Sequence, residues 1–324
     1  MTVKHTRGFL YFQANQRRRA SNQSWQVVSR AMAINDINNA NVAFSVFDGD
    51  IKSGSSLCDN IVYSDAIARF NLFKSPMIYV PGDNEWTDCH RTNNGGYNSL
   101  ERLNYIRTTM FNSPLSFGQR SIELEHQGTL GGTYSENTRW MYGKVLFVGL
   151  NVPGSNNNKV NSDAQCTNLS ARTLADCSAN NAEYAERDAA NIAYLQESFN
   201  EAKERGAVGV MVIIQADPGF DIPETESVDE RVVNGAPGGS ADGYTAFLDA
   251  IVTETRAFKG QVVLVHGDTH VFKVDKPLIR QDNLLNNFTR VETFGNPNIH
   301  WVRVSVNPRS QNVFTFEPMI VPGN

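Results

Sequence analysis

The sequence predicts one large α/β domain carrying two sheets, and three observations predict it. Strand-like and helix-like patterns alternate through the first half of the chain. Shorter strand-like runs follow in the middle, and two strongly apolar runs, each preceded by a helical pattern, come later. At 324 residues the chain is long enough to bury a sizeable core as a single domain.

The elements read in order as follows. Gly8–Ala14 reads as a strand, and Ser24–Asn38 as an amphipathic helix with Trp25, Val28, Ala31, Met32 and Ile34 near one face. Val42–Asp48 reads as a second strand ending in Gly49-Asp50, Asp59–Phe73 as a second helix, and Met77–Val80 as a third strand ending in Pro81-Gly82-Asp83. Such a β-α-β-α-β run implies parallel strands joined by right-handed crossovers, with polar residues gathered along one sheet edge. Ser121–Glu125, Gly131–Tyr134 and Val145–Leu150 read as strands of the second sheet. The Asn-rich stretch 152–181 reads as a polar insertion, and Ala182–Arg205 as the clearest helix. Val208–Ile214 and Gln261–Val265 read as buried strands, with a helix running through Phe258 between them. His300–Val306 and Val313–Phe316 complete the pattern as terminal strands. The whole chain, 1–324, is expected to be one domain.

Composition removes several classes of function. A chain that is 40% hydrophobic and 19% charged is neither collagen, coiled coil nor a disordered polymer. With a net charge of −5 and no Lys/Arg block, it carries no footprint for gripping a nucleic-acid backbone. No apolar run approaches the roughly 18 residues that span a bilayer.

The four cysteines, Cys58, Cys89, Cys166 and Cys177, form no C-x-x-C pair and lie in polar, loop-like stretches. Two disulfides, Cys58–Cys89 and Cys166–Cys177, are expected, and with them a periplasmic or secreted location. Four reduced thiols in the cytoplasm are the alternative. The first residues hold a basic start without an apolar stretch and small-residue cleavage site, so the expectation of export requires a signal outside this chain.

Four predicted strands end in polar clusters: Asp50; Asp83-Asn84-Glu85; Gln215; and Asp268-Thr269-His270. Each alone is an ordinary turn or helix cap. As a set along one sheet edge they bring acidic side chains together, and a cation relieves their repulsion.

In order and spacing these clusters resemble the calcineurin-like metallophosphoesterase superfamily. Its blocks run D-x-H, G-D, G-N-H-(D/E), a lone His after a buried strand, and G-H-x-H. Here Phe47-Asp48-Gly49-Asp50 matches the second and Val80-Pro81-Gly82-Asp83-Asn84-Glu85 stands at the third. Ile213-Ile214-Gln215 takes the place of the lone His, and Gly267-Asp268-Thr269-His270 that of the last block. The longer runs Gly49-Asp50-Ile51-Lys52-Ser53-Gly54 and Pro81 to Cys89 look like an uncharacterised bacterial branch.

The resemblance implies a four-layer α/β/β/α sandwich of two mixed sheets. It also implies a metal-dependent hydrolase that cleaves a small phosphomonoester or phosphodiester with a metal-activated water. Carried over position by position, one metal would see Gln13, Asn15, Asp50 and His270. The other would share Asp50 and see Asp83, Gln215 and Asp268. Gln13-Ala14-Asn15 stands where the family has D-x-H, and Asn84 where it has the His that protonates the leaving group. Oxygen donors at these places suit one or two ions of Mn²⁺, Mg²⁺ or Ca²⁺. His266 or His90 would then supply the acid, and Lys52, Arg91 and Trp86 would meet the substrate, with Arg290 a further candidate. Only His270 of the six histidines falls at a family imidazole position. This motivates a second reading, a catalytically weakened or inactive relative that binds a ligand.

Overall fold

The structure is a computed structural model that describes residues 6–11, 31–219, 242–280, 283–296 and 299–323. Strands β1 (Thr6–Tyr11), β2 (Ser45–Phe47) and β3 (Met77–Tyr79) pair in parallel, as the β-α-β-α-β pattern requires. In the second sheet β4 (Glu125–His126), β5 (Thr138–Tyr142) and β6 (Val145–Gly149) form an antiparallel meander. Parallel strands β7 (Gly209–Ile213) and β8 (Gln261–His266) continue from β6. Strand β9 (Lys273–Asp275) leads into the hairpin β10 (Ile279–Arg280) and β11 (Asn283–Leu284), and β12 (Phe288–Glu292) then lies between β8 and β9. The terminal strands β13 (Trp301–Val306) and β14 (Phe314–Met319) return antiparallel to the first sheet, giving the order β14-β13-β1-β2-β3.

Side-chain alternation explains the layering. On β6, β7 and β8, Val145, Phe147, Met211, Ile213, Val263 and Val265 face the first sheet and join Phe44, Val46, Ile78 and Val304 in one apolar cluster. Their neighbours Leu146, Val148, Val210, Val212, Val262 and Leu264 face the other way, onto the helices Leu174–Glu204 and Thr245–Ala257. The first sheet is covered by the helical residues 31–39 and by the helices Asn60–Phe70 and Ser99–Met110, through Ile37, Tyr63 and Leu103 among others. The result is the expected α/β/β/α order.

Three expectations change. Gly131–Tyr134 is a turn, because Gly131 (φ 72°) and Tyr134 (φ 66°) adopt left-handed backbone that no strand accommodates; the strand of this region is Thr138–Tyr142. The long helix begins at Leu174 rather than Ala182, so the insertion is partly helical. Thr173 and Asp176 cap each other's backbone N–H there, a reciprocal box spelled out in the sequence. The expected strand Ser121–Glu125 reduces to β4, Glu125–His126, while β9 to β11 carry only two or three residues each, too few for a readable period. Both expected disulfides are present: Cys58–Cys89 links the loops after β2 and β3, and Cys166–Cys177 ties the short helix Asp163–Thr167 to the long one. Among the described residues no helix is long and apolar enough to cross a membrane.

Candidate functional site

The loops after β2, β3, β6, β7 and β8 meet at one edge of the sandwich. Gly82 is required there: a Cβ on it would lie 2.4 Å from Asp50 Oδ1, so only glycine lets the β2 and β3 turns touch. Buried Glu85 ties the two turns together. Its Oε1 accepts from the backbone N–H of Asp50 (3.0 Å) and Gly82 (2.6 Å) and from the Tyr79 hydroxyl (2.7 Å). Asn84 donates its side-chain N–H to Asp50 Oδ2 and its backbone N–H to Asp50 Oδ1 at 3.3 Å.

Gln215, fully buried at the end of β7, sits between the two sheets' loops. Its Oε1 accepts from the backbone N–H of Asp83 (3.2 Å) and Gly154 (2.5 Å), two donors whose identity is not in question. Nε2 is therefore turned toward the carboxylates and donates to Asp83 Oδ1 (3.2 Å) and Asp268 Oδ1 (3.3 Å). Gln215, expected as a metal ligand, thus stands instead as a donor to the carboxylates, with its oxygen already engaged. The other oxygens of the pair converge: a Cβ on Gly154 would lie 2.6 Å from Asp83 Oδ2 and 2.8 Å from Asp268 Oδ2.

After Gly154 the chain makes a left-handed turn through Ser155, Asn156, Asn157 and Asn158, with φ of 52°, 55°, 57° and 67°. Asparagine is the residue besides glycine that tolerates this backbone best, which gives the Asn-rich stretch its physical reason. Arg187 Nη1 holds the turn through Asn157 Oδ1 (2.6 Å), and Asn157 Nδ2 donates to the Gly243 carbonyl (2.9 Å). The turn delivers Ser155 Oγ within reach of both Asp83 Oδ2 (3.0 Å) and Asp88 Oδ1 (2.7 Å), with one proton to donate between them.

The electrostatics are those of crowded anions. Burial, then Asp83, Glu85 and Asp268, push the Asp50 carboxyl well above the usual carboxylate range. Burial, then Asp83 and Asp217, do the same to Asp268. Asp88 is pushed up to about 7 by burial and Asp83, against the pull of Arg91, whose Nη1 lies 2.6 Å away. Asp48, whose Oδ2 accepts from Thr293 Oγ1 (2.8 Å), is also raised to about 7, by burial. Buried Lys52 lies among Asp88, Glu85, Asp50 and Asp83 and donates to the Ser53 carbonyl at 2.7 Å; burial lowers its pKa.

A raised carboxyl stabilises the fold below its unfolded-state value and withdraws that contribution as pH climbs through the folded value. For Asp48, ordinarily at 3.8 and raised to about 7, the amount is about 4 kcal/mol. The protein is therefore expected to be more stable to urea at pH 5 than at pH 8. Equal denaturation midpoints at the two pH values would contradict this.

A cleft of 770 Å³ opens over Asp83, Asp88 and Asp268. Its lining also includes His90, Arg91, Lys159 and Arg172, and much of it comes from the 152–181 insertion. His90, one of the two candidates for the acid, is a part-buried cleft residue; burial, Arg172 and Arg91 push its pKa down to about 3.

Other expected site residues stand elsewhere. Trp86 is fully buried beneath the Arg187 guanidinium, 5.2 Å from its ring, and does not line the cleft. Arg290 pairs with Asp275 across β12 and β9 (2.8 Å). His270, at φ 71°, packs its ring where a Cβ on Gly295 would sit, within the field of Asp83. Burial of the ring lowers its pKa. His266 is buried with Asp217 and Glu292, outside the cleft lining. Gln13 and Asn15 lie outside the described residues. Asp88 and Ser155 are the contributors that strand-end reasoning passed over, and Glu85 was named there without its role in tying the turns.

No protein-family profile and no curated protein sequence matches the chain. Solved structures do match by shape. A dimetal phosphatase from Danio rerio superposes over 98% of this chain and 99% of its own, with a TM-score of 0.52 at 8% identity. A purple acid phosphatase from yellow lupin covers 98% of this chain and 54% of its own, at TM-score 0.49 and 11% identity. GAP50, titled the anchor in the inner membrane complex of Plasmodium, covers 99% and 90% at TM-score 0.44 and 10% identity. The fold is that of the calcineurin-like metallophosphoesterases.

Proposed function

We propose that the chain is a metal-dependent phosphoesterase hydrolysing a small phosphomonoester or phosphodiester. The observation that carries this reading is the convergence of Asp83 and Asp268 in a cleft whose lining also holds Arg91, Lys159 and Arg172. Carboxylates call for a cation, and the cationic lining suits an anionic ester. The dimetal phosphatase activity of the structurally similar zebrafish protein agrees with it.

The donor set fits a hard divalent ion. Asp50, Asp83, Glu85, Asp88 and Asp268 crowd together, with Lys52 and Arg91 as the nearby cations. Asp83 and Asp268 would hold Mn²⁺, Mg²⁺ or Ca²⁺, with Asp50 and His270 at the margin. When bound, such an ion polarises the phosphoryl group and lowers the pKa of a coordinated water. Ser155 positions Asp83 and Asp88, and Gln215 fixes Asp83 and Asp268 relative to each other. Arg91, 40% exposed and anchored on Asp88, reaches the cleft to meet a phosphate. Two disulfides accord with a periplasmic or secreted location.

The test is Mn²⁺-dependent release of p-nitrophenol from its phosphomonoester and phosphodiester. Arg91→Ala is expected to raise KM about tenfold, the loss of one charge-assisted hydrogen bond, with kcat nearly unchanged and Arg91→Lys recovering part of it. An unchanged KM would remove Arg91 from the substrate site.

One observation favours a second reading, a catalytically weakened or inactive relative. Asn84 and Gln215 both turn their amide N–H groups toward the carboxylates, satisfying in part what a metal would otherwise satisfy. Chelator-resistant folding together with tight binding of a phosphoester that is never turned over would select that reading.

A further inference from the structure

A second cluster of metal-ligating side chains lies beside the cleft floor and does not line the cleft. Asp217, two residues beyond Gln215, His266, the last residue of β8, and Glu292, the last residue of β12, each bring one ligand-type atom within 4.8 Å of the others'. All three side chains are buried, at 1%, 0% and 1% exposure. β7, β8 and β12 are adjacent parallel strands in one sheet, so their carboxyl ends deliver the three groups to one place.

The surroundings orient the donors. His266 Nδ1 lies 3.1 Å from the Gly267 carbonyl, which can only accept, so Nδ1 donates there and Nε2 is the nitrogen left to face a ligand. A backbone carbonyl fixing one ring nitrogen while the other ligates is the usual support for a metal-bound histidine. Glu292 Oε1 is steadied by the Val271 N–H (3.0 Å) and the Thr269 hydroxyl, and Asp217 Oδ1 by the Gly219 N–H (2.9 Å). Each carboxylate is thereby held by backbone or hydroxyl donors, and the imidazole by a carbonyl acceptor.

We infer that Asp217, His266 and Glu292 form a separate divalent-cation site, suited to Zn²⁺ or Mn²⁺. Two carboxylates and one imidazole are ligands of intermediate hardness, matching first-row ions better than Ca²⁺. None of the three occupies a position of the motif blocks read in the sequence. The ion would cross-link the ends of β7, β8 and β12, just before or beside the turns that carry Gln215 and Asp268, and so brace the cleft floor from behind.

The test separates this site from the cleft. In the double variant Asp83→Asn/Asp268→Asn, Zn²⁺ titrated calorimetrically into chelator-treated protein is expected to bind at one equivalent. Adding His266→Gln or, independently, Glu292→Gln is expected to abolish that equivalent while the far-ultraviolet dichroism stays unchanged. In the wild type, ¹⁵N-histidine spectra are expected to show the His266 Nε2 resonance moving on addition of Zn²⁺. No Zn²⁺ bound by the double variant, or one equivalent still bound after His266→Gln or Glu292→Gln, would overturn the inference. So would a His266 Nε2 resonance indifferent to Zn²⁺. Because every arm reads binding rather than turnover, loss of phosphoesterase activity alone leaves this result standing.

Discussion

Replacing Asp83 by Asn is expected to lower Mn²⁺-dependent phosphoester turnover about a thousandfold or more, the loss of several kcal/mol of metal-supplied stabilisation. The same change is expected to raise the stability of the metal-free protein. Asp83 is one of the charges that push Asp50, Asp88 and Asp268 toward their protonated forms, so neutralising it relieves a buried repulsion. The backbone geometry survives, because the Asp83 carbonyl still accepts from the N–H groups of Trp86 (3.2 Å) and Asp88 (3.0 Å). Opposite signs in the two measurements, activity down and metal-free denaturation midpoint up, distinguish a lost ligand from a damaged fold. A variant that loses activity and stability together would contradict the assignment.

Glu85→Ala is expected to be the most destabilising single change near the site. It strands the backbone N–H groups of Asp50 and Gly82 and the Tyr79 hydroxyl, all buried and all served by one carboxylate oxygen. At about 1–3 kcal/mol for each of the three orphaned groups, the cost is about 3–9 kcal/mol, a large part of the stability of an ordinary domain. Glu85→Gln keeps an oxygen acceptor for the three donors and is expected to cost less than half as much. Urea denaturation of the two variants checks the order; equal costs would mean that Glu85's charge, not its hydrogen bonds, supports the turns.

The layered fold was legible because β6, β7 and β8 alternate between two apolar environments and leave strongly hydrophobic runs in the sequence. The strand-end acids Asp50, Asp83 and Asp268 were legible for the same reason, each following a readable strand. Glu85 was visible only as a neighbour of Asp83, since its role depends on Tyr79 and on the close approach of the β2 and β3 turns. Asp88 and Ser155 meet across 67 positions, and Asp48 and Thr293 across 245, contacts that no local pattern encodes. Glu292 ends a five-residue strand that was not recognised as one, so its meeting with His266 and Asp217 was hidden. Trp86, an aromatic beside acids, reads equally as pocket or core; its full burial under Arg187 settles it as core.

The central claim is that the floor of the cleft, at Asp83 and Asp268, takes a divalent cation and uses it. A Mn²⁺ titration of chelator-treated wild type and Asp83→Asn/Asp268→Asn, following bound metal and phosphoester turnover in the same samples, tests it most directly. In the wild type, turnover is predicted to rise in step with the ion that the double variant fails to bind, and the double variant is predicted to stay inactive. Wild type that loads that ion and releases no product, or turnover that persists in the double variant, would contradict it.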